Sequence, residues 1–401
     1  MNIIDIKKDD CTGCMMCLNM CPTNCITISY DMEGFACPTV DSGGCIGCEI
    51  CIANCPVLHC SVKYEPKEAY AVQAKDWRNL KNSASGGIAY ILCENAITNG
   101  GTAYGAAYDD NLRVIHIRAE NQQQLLSQQG SKYVQSDFSN IYNQVLWDCK
   151  SGKQTIVIGT PCQISGLRNF LKKDFDNLLL VDLICHGVPS PRLFVKYLRW
   201  KASTLRVPRL LDYRFRDKSR GWGTNYIAVG NNRIKCGAAM EEPYYADFKL
   251  GYSFRESCYR CQYACNERMG DITIGDFWGI ENYHPEIDCD ITKGVSCILL
   301  NTSRGLNALD SIKDKLLCSP STVRKVIACN TSLTRPANRP PIRDNYYAMI
   351  DREGFEWSKK RIKKSKYNYL SWVRGIYQDR LKGSLKEYEG KCDKNSNNNA
   401  G

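Results

Sequence analysis

Two runs, CTGCMMCLNMCP at 11–22 and CIGCEICIANCP at 45–56, each space four cysteines as C-x2-C-x2-C-x3-C-P. Thiolate is a soft ligand that suits iron and sulfide. A loop with two-residue gaps delivers thiols from consecutive turns, which is what one polynuclear centre needs. Gly13 and Gly47 stand between the first two cysteines of their runs. A side chain there is expected to crowd a cluster, and backbone N–H groups there are expected to point at sulfur. A disulfide framework or structural zinc are the bland alternatives, since C-x2-C alone also suits zinc, but two matching runs favour iron-sulfur clusters. Cys25, Cys37 and Cys60 fall outside the pattern and receive no role.

The spacing resembles that of bacterial two-cluster ferredoxins, where the first three cysteines of a run hold one [4Fe-4S] cluster and the fourth reaches across to the other. Cys11, Cys14, Cys17 and Cys55 are therefore expected to bind one cluster, and Cys45, Cys48, Cys51 and Cys21 the second.

Four later cysteines could form a third cluster site. Cys162 in TPCQ and Cys185 in ICHG follow apparent strands, and Cys258 and Cys261 form a C-x2-C pair. Cys265, three residues on, makes a competing C-x2-C-x3-C set. Eight others, Cys93, Cys149, Cys236, Cys289, Cys297, Cys318, Cys329 and Cys392, read as small buried hydrophobes.

These residues need a scaffold. ITISYDMEGFACPTVD at 26–41 reads as a hairpin with Gly34 at its turn, and the segment after Cys60 as a linker leading into a strand near Ala69. NSASGGIAYILCENAITNGG reads as a loop feeding a helix, GTAYGAAYD and LRVIHIRAE as adjacent strands, and ENQQQLLSQQ as a short helix. QTIVIGTPCQISGLRNFLKK is strand, sharp turn and helix, and DNLLLVDLICHGVPSPRLFVKYLRWKA repeats the scheme. Further strands are expected between 211 and 234, at 271–274 and in KGVSCILLNT. Such alternation marks an α/β domain with ligand groups at the carboxyl ends of its strands. The expected architecture is an α+β ferredoxin-like dicluster domain (1–62) followed by an α/β flavin-binding domain in two parts, 69–150 and 151–330, and a basic helical segment with a polar tail (331–401).

IGTPCQISGLR at 158–168, LICHGVPSP at 183–191, CYRCQYACNERMGDITIGDFWGI at 258–280 and SASGG at 83–87 resemble the coenzyme F420 hydrogenase/dehydrogenase beta-subunit family. The resemblance spans roughly 69–305, with the dicluster head fused ahead of it. It implies a flavoprotein, usually with FAD, whose own iron-sulfur cluster exchanges electrons with the flavin, and a hydride exchange with F420 or another small substrate. It favours Cys162, Cys185, Cys258 and Cys261 over the set with Cys265. Ser85, Gly86 and Gly87 before a helix then read as a pyrophosphate cradle rather than a plain helix cap. Ser131 and Lys132 would add a hydroxyl and a cation to a phosphate. Thr160 and Gln163 flank Cys162 where flavin and cluster would meet, and Gly275 and Asp276 end a strand where a carboxylate could accept from a ribose hydroxyl or a flavin N–H. His186, next to Cys185, could protonate the substrate, hydrogen-bond a cluster sulfur, or simply hold its loop.

At 401 residues, with 43% hydrophobic and 24% charged, the chain is an ordinary globular protein of two or three domains. It has no run of about 18 apolar residues and no apolar signal segment at its start, and its 24 cysteines argue for metal or redox work in a reducing, cytoplasmic and anaerobic setting. The net charge of +11 is local: 358–391 holds eleven Lys and Arg against three acids. With Ile362, Tyr369, Leu370, Val373, Ile376 and Tyr377 at helical spacing, that segment reads as a basic amphipathic helix, packed on its own domain or touching an anionic membrane surface or acidic partner. Charge confined to one end, with no recognition-helix motif, argues against nucleic acid. The leading expectation is an oxidoreductase taking electrons from, or giving them to, a partner protein and a small hydride acceptor or donor. The alternative is a non-enzymatic subunit that relays electrons to another protein.

Overall fold

The computed structural model describes residues 2–362, so most of the basic segment lies outside the described residues. The amino-terminal head is a pair of cysteine loops, each running into a short helix (Met16–Met20 and Ile50–Ala53), around a hairpin of β1 (Ile26–Tyr30) and β2 (Ala36–Val40). Gly34 turns the hairpin with φ +85°, a left-handed conformation natural to glycine. A Cβ there would also strike the side chain of Arg192, because the hairpin tip lies against the helix Pro191–Leu205.

The rest of the chain is organised by one eight-stranded sheet. Its strands are β3 (Glu68–Ala74), β4 (Thr102–Tyr108), β5 (Val114–Ala119), β6 (Thr155–Gly159), β7 (Leu178–Leu183), and, after a separate three-stranded meander of β8 (Asp212–Arg214), β9 (Asn225–Val229) and β10 (Ile234–Ala238), β11 (Ile272–Asp276), β12 (Ser296–Leu300) and β13 (Leu316–Ser321). The order is β13-β3-β12-β11-β7-β6-β4-β5. The central β11, β7, β6 and β4 are parallel, and the flanking strands are antiparallel. The near-continuous apolar runs of β6 and β7 suit parallel strands covered on both faces. Their carboxyl ends lie at one edge and release Cys162 and Cys185 there.

The sheet is mixed, because links such as 109–113 between β4 and β5 are too short for a crossover and force antiparallel pairing. It also runs across the expected 150/151 boundary, with β3, β4 and β5 beside strands from the later part, so those segments share one sheet. The expected linker is bonded in place: Tyr64 and Arg268 exchange backbone hydrogen bonds at 2.9 and 2.8 Å, and Ser61 Oγ meets Ser165 Oγ at 2.9 Å.

The head is part of the main body. Ile3, Met16 and Ile26 share one apolar core with Tyr142, Val145, Ile164 and Leu167. A second core is rich in aromatic rings, among them Tyr197, Tyr213, Phe215, Tyr244, Phe248, Phe254 and Tyr346. Its buried hydroxyls find partners: Tyr197 donates to Glu242 at 2.6 Å, Lys201 pairs with the same carboxylate at 2.6 Å, and Tyr346 donates to Asp247 at 2.9 Å. Phe248 and Phe254 present ring edges to His186 at 5.9 and 5.1 Å and so position the loop that follows Cys185. No helix among the described residues is long and apolar enough to cross a membrane.

Candidate iron-sulfur and flavin sites

The head contains two cavities. The first, about 310 Å³, is lined by Cys11, Cys14, Cys17 and Cys55. The second, about 20 Å³, is lined by Cys21, Cys45, Cys48 and Cys51. Each cavity thus combines three cysteines of one run with the fourth of the other, the crossed arrangement that the ferredoxin resemblance implies. The first has room for a large inorganic group. In the second, Cys21 Sγ sits 3.3 Å from Cys25 Sγ and shares the space. Two cysteines given no role by the spacing also line the walls, Cys37 in the first cavity and Cys25 in the second.

Gly13 and Gly47 take φ +69° and +66°, and Met15 and Glu49 are left-handed too, so both loops curl around their cavities. Gly13 N donates to Cys11 Sγ at 3.4 Å. The expected crowding differs in detail: a Cβ at Gly13 would strike Gln135 and Arg255 at 2.7 and 2.8 Å, whereas at Gly47 it would meet no protein atom within 4 Å. Glycine at position 47 is explained by backbone conformation alone.

The structure brings Cys162, Cys185, Cys258 and Cys261 together. Cys162 is in the first turn of the helix Pro161–Leu171, Cys185 follows β7, and the other two come from the turn Glu256–Arg260 and its end. The thiols lie within electrostatic reach of one another, Cys162 with Cys261 and Cys185, and Cys185 with Cys258 and Cys261. Burial pushes Cys185 and Cys258 up to about 12, and Cys14 in the head likewise. A cationic centre is the kind of ligand that would draw these thiols into thiolate form. Cys265 also lies within electrostatic reach of Cys261, but its Sγ is engaged 3.6 Å from Lys63 Nζ and 3.2 Å from Glu267 O. Among the described residues no three His, Cys, Asp or Glu side chains close to single-ion distance, whereas a cubane draws its thiolates from a wider shell.

Two devices hold this site. Asp182, fully buried near the end of β7, accepts from Met269 N at 3.0 Å, Gly270 N at 3.3 Å and Thr273 Oγ1, and pairs with the buried Arg268 at 3.3 Å. Arg268 donates onward to Tyr263 O and Leu183 O, both at 3.2 Å, and to Cys265 O at 3.0 Å, tying the Cys258–Cys261 segment to the strand that carries Cys185. Thr160 Oγ1 lies 3.2 Å from Cys162 Sγ, and Gln163 Oε1 accepts from Thr160 N at 2.9 Å.

The third thiol group adjoins the first head cavity. Gly166, one turn along the helix from Cys162, faces Cys14 so closely that a Cβ would stand 3.2 Å from its Sγ. Tyr142 Oη donates to Cys14 O at 2.7 Å. Arg255 Nε, three residues before Cys258, donates to Cys11 O at 2.6 Å, and Gln135 Nε2 to Thr12 O at 3.0 Å.

The expected flavin residues divide. Ser85 Oγ donates to Val295 O at 2.8 Å and Gly86 N to Ser296 Oγ at 2.9 Å, so the Ser-Gly-Gly turn is pinned to β12 before Gly87, at φ +85°, opens the helix Ile88–Thr98. A Cβ on Gly86 would lie 2.1 Å from Val72 O. Gly86→Ala should therefore cost several kcal/mol, on the order of other backbone-strain and overpacking changes, read as a lowered midpoint in thermal unfolding. Lys132 is corrected: its buried ammonium donates to the carbonyls of Ala106, Ser127, Gln128, Gln129 and Gly130 at 2.8 to 3.4 Å, and Ser131 lies beside it. A cation held by the end of the helix Gln122–Gln128 in this way caps that helix rather than meeting a phosphate. Gly275 packs so tightly that a Cβ would stand 2.7 Å from Ile184.

Asp276 is held by a residue that spacing did not reveal. Arg216 grips both its oxygens at 2.8 and 2.9 Å, donates to Ala84 O at 2.9 Å, and lies 4.9 Å over the ring of Trp278. Trp222 stacks flat on Trp278 at 4.8 Å and donates Nε1 to Asp276 at 3.2 Å. Lys218 Nζ donates to Ser85 O at 2.6 Å, and burial lowers its ammonium to about 7. Arg216 thereby links the Ser-Gly-Gly turn to the end of β11, and Lys218 ties the same turn to Leu80 O. Their sequence signal was RFRDKSRGWG at 214–223, alternating cations ahead of an aromatic turn.

A dicluster head continuous with a mixed α/β sheet defines an iron-sulfur electron-transfer oxidoreductase. Residues 152–324 match the family that describes the carboxyl-terminal part of the coenzyme F420 hydrogenase/dehydrogenase beta subunit, and residues 10–58 match the 4Fe-4S dicluster domain. Over that region the chain is similar to the beta-subunit family, and the dicluster match lies ahead of it. Among solved structures it is similar to a chain of the F420-reducing [NiFe] hydrogenase complex from Methanosarcina barkeri, with 16% identity over 76% of this chain and 94% of that one and a TM-score of 0.43. No curated protein matches.

Proposed function

We propose that the chain is an iron-sulfur flavoprotein oxidoreductase that moves electrons between a protein partner and a small hydride-exchanging substrate, F420 or a related acceptor. Cys11, Cys14, Cys17 and Cys55 hold one [4Fe-4S] cluster, Cys21, Cys45, Cys48 and Cys51 the second, and Cys162, Cys185, Cys258 and Cys261 a third. FAD is bound along the edge formed by Ser85, Gly86, Gly87, Thr160, Gln163, Gly275 and Asp276, joined by Arg216. Bound there, the clusters supply one-electron transfer and the flavin the conversion to two-electron hydride exchange.

The observation that carries this reading is the contact of Gly166 with Cys14 one helical turn from Cys162, which supports a continuous route from head to sheet edge. Around that route the protein's own groups act as supports. Arg255 and Gln135 fix the Cys11–Cys14 loop, Thr160 supplies a hydroxyl beside the Cys162 sulfur, and Tyr142 anchors the Cys14 carbonyl. His186, walled by Phe248 and Phe254, is the proposed proton-bearing group beside Cys185. The outer end of the route is the second head site, where Cys48 is exposed and the adjacent Ile46 is 67% exposed, an apolar rim suited to a docking electron partner.

The test is anaerobic purification of the full chain, followed by reduction with a low-potential donor and addition of F420. A bound flavin that bleaches and is reoxidised by F420 or another small acceptor is expected. A chain that retains its irons but neither binds flavin nor turns over any small molecule would instead be an electron relay. Arg216→Ala should lose bound flavin at least tenfold more readily than the unmodified chain while retaining its irons, measured as flavin per chain after gel filtration.

A further inference from the structure

The second head cavity contains five cysteines where one cubane takes four. Cys25 is buried, lines that cavity together with Cys21, Cys45, Cys48 and Cys51, and places its Sγ 3.3 Å from Cys21 Sγ. Local backbone explains the juxtaposition. Asn24 is left-handed at φ +53° and its N–H closes a turn on Cys21 O at 3.3 Å, so the four-residue step folds both thiols toward one space. Cys25 is itself fixed: Asp41 N donates to its carbonyl at 2.8 Å, and Gly44 leaves room for it, since a Cβ there would stand 3.2 Å from Cys25 Cβ. The extra cysteine of the first cavity is engaged differently, with Cys37 Sγ 3.7 Å from Phe35 O and 3.9 Å from Arg255 Nη2.

We propose that Cys25 is a reserve ligand of the second head cluster, able to take the iron held by Cys21 when Cys21 is absent, and in the intact chain a hydrogen-bond donor to the Cys21 sulfur. The exchange is a ligand substitution. In a chain lacking Cys21 the Cys25 thiol would give its proton to solvent as its sulfur bonds the iron, the water or hydroxide standing in the vacant ligand position would leave to solvent, and no electron would change hands. Because the two sulfurs already touch, side-chain rotation suffices. The proposal rests on the reading that this cavity holds a [4Fe-4S] cluster.

Iron and sulfide content and redox titrations of the anaerobically prepared full chain test it. Cys21→Ala should keep the iron and sulfide of the unmodified chain, and the double variant Cys21→Ala/Cys25→Ala should lose about four irons. Cys25→Ala should keep all its iron but shift one cluster to lower potential, because a hydrogen bond to sulfur favours the more negative reduced state. Loss of about four irons in Cys21→Ala alone, or unmoved potentials in Cys25→Ala, overturns the proposal; the latter holds even should Cys21→Ala fold poorly. Failure of the underlying reading looks different: Cys45→Ala would then lose no iron.

Discussion

Cys162→Ala should remove about four of roughly twelve irons per chain and stop electrons from the head reaching the flavin, while the head clusters still reduce and reoxidise. The expectation follows from position. Cys162 is the one member of the later thiol group on the helix that also touches Cys14 through Gly166, and its thiol lies within electrostatic reach of Cys14 as well as of Cys261 and Cys185. Stopped-flow traces at cluster and flavin wavelengths after mixing with a low-potential donor separate the two halves. Cluster bleaching at the ordinary rate with an unreduced flavin is the expected pattern, and flavin reduction at the unmodified rate would remove Cys162 from the route. Cys93→Ala, at a buried cysteine on the helix Ile88–Thr98 that packs in a different core from Cys14, Cys162 and Cys261, serves as the control and should leave both phases intact.

Asp182→Ala should be the most damaging change that touches no proposed ligand. It leaves the guanidinium of Arg268, 1% exposed, without its carboxylate, and frees Met269 N, Gly270 N and Thr273 Oγ1. Removing one partner of a buried pair costs about 3–5 kcal/mol. Since Arg268 also binds Leu183 O, Tyr263 O and Cys265 O, the segment bearing Cys258 and Cys261 should come loose from the strand end bearing Cys185. A lowered denaturation midpoint accompanied by loss of about four irons is expected. Asp182→Asn, which keeps acceptor and shape but loses the charge, should fall between the two. Equal stability of Asp182→Ala and the unmodified chain would show that the pair does not hold the loop.

How much of this could be read beforehand depended on sequence distance. The cysteines of each head run are spaced two or three residues apart, so the runs were legible locally, and the crossing of Cys21 and Cys55 followed from the resemblance of that spacing to two-cluster ferredoxins. The strands ending at Cys162 and Cys185 announced themselves as short apolar runs before sharp turns. Arg216 did not, because its partners Ala84 and Asp276 lie 132 and 60 residues away and only the fold brings them together. Lys132 misled for the opposite reason: a Ser-Lys pair suggests phosphate, but the side chain is short-circuited by carbonyls two to five residues before it and by Ala106 O on the adjacent strand. That one sheet spans 150/151 was not legible, because no local pattern tells that β4 pairs with β6 across it. The segment after Cys60 looked like a linker because Tyr64 and Ser61 find their partners in Arg268 and Ser165, over a hundred residues on.

The most direct measurement is iron, acid-labile sulfide and flavin per chain in the anaerobically purified, unmodified protein. Two head clusters wired through a third to a flavin require about twelve irons, as many sulfides and one FAD. About eight irons with no flavin would leave the head clusters standing and contradict the route from Cys14 through Cys162 to a fused active site.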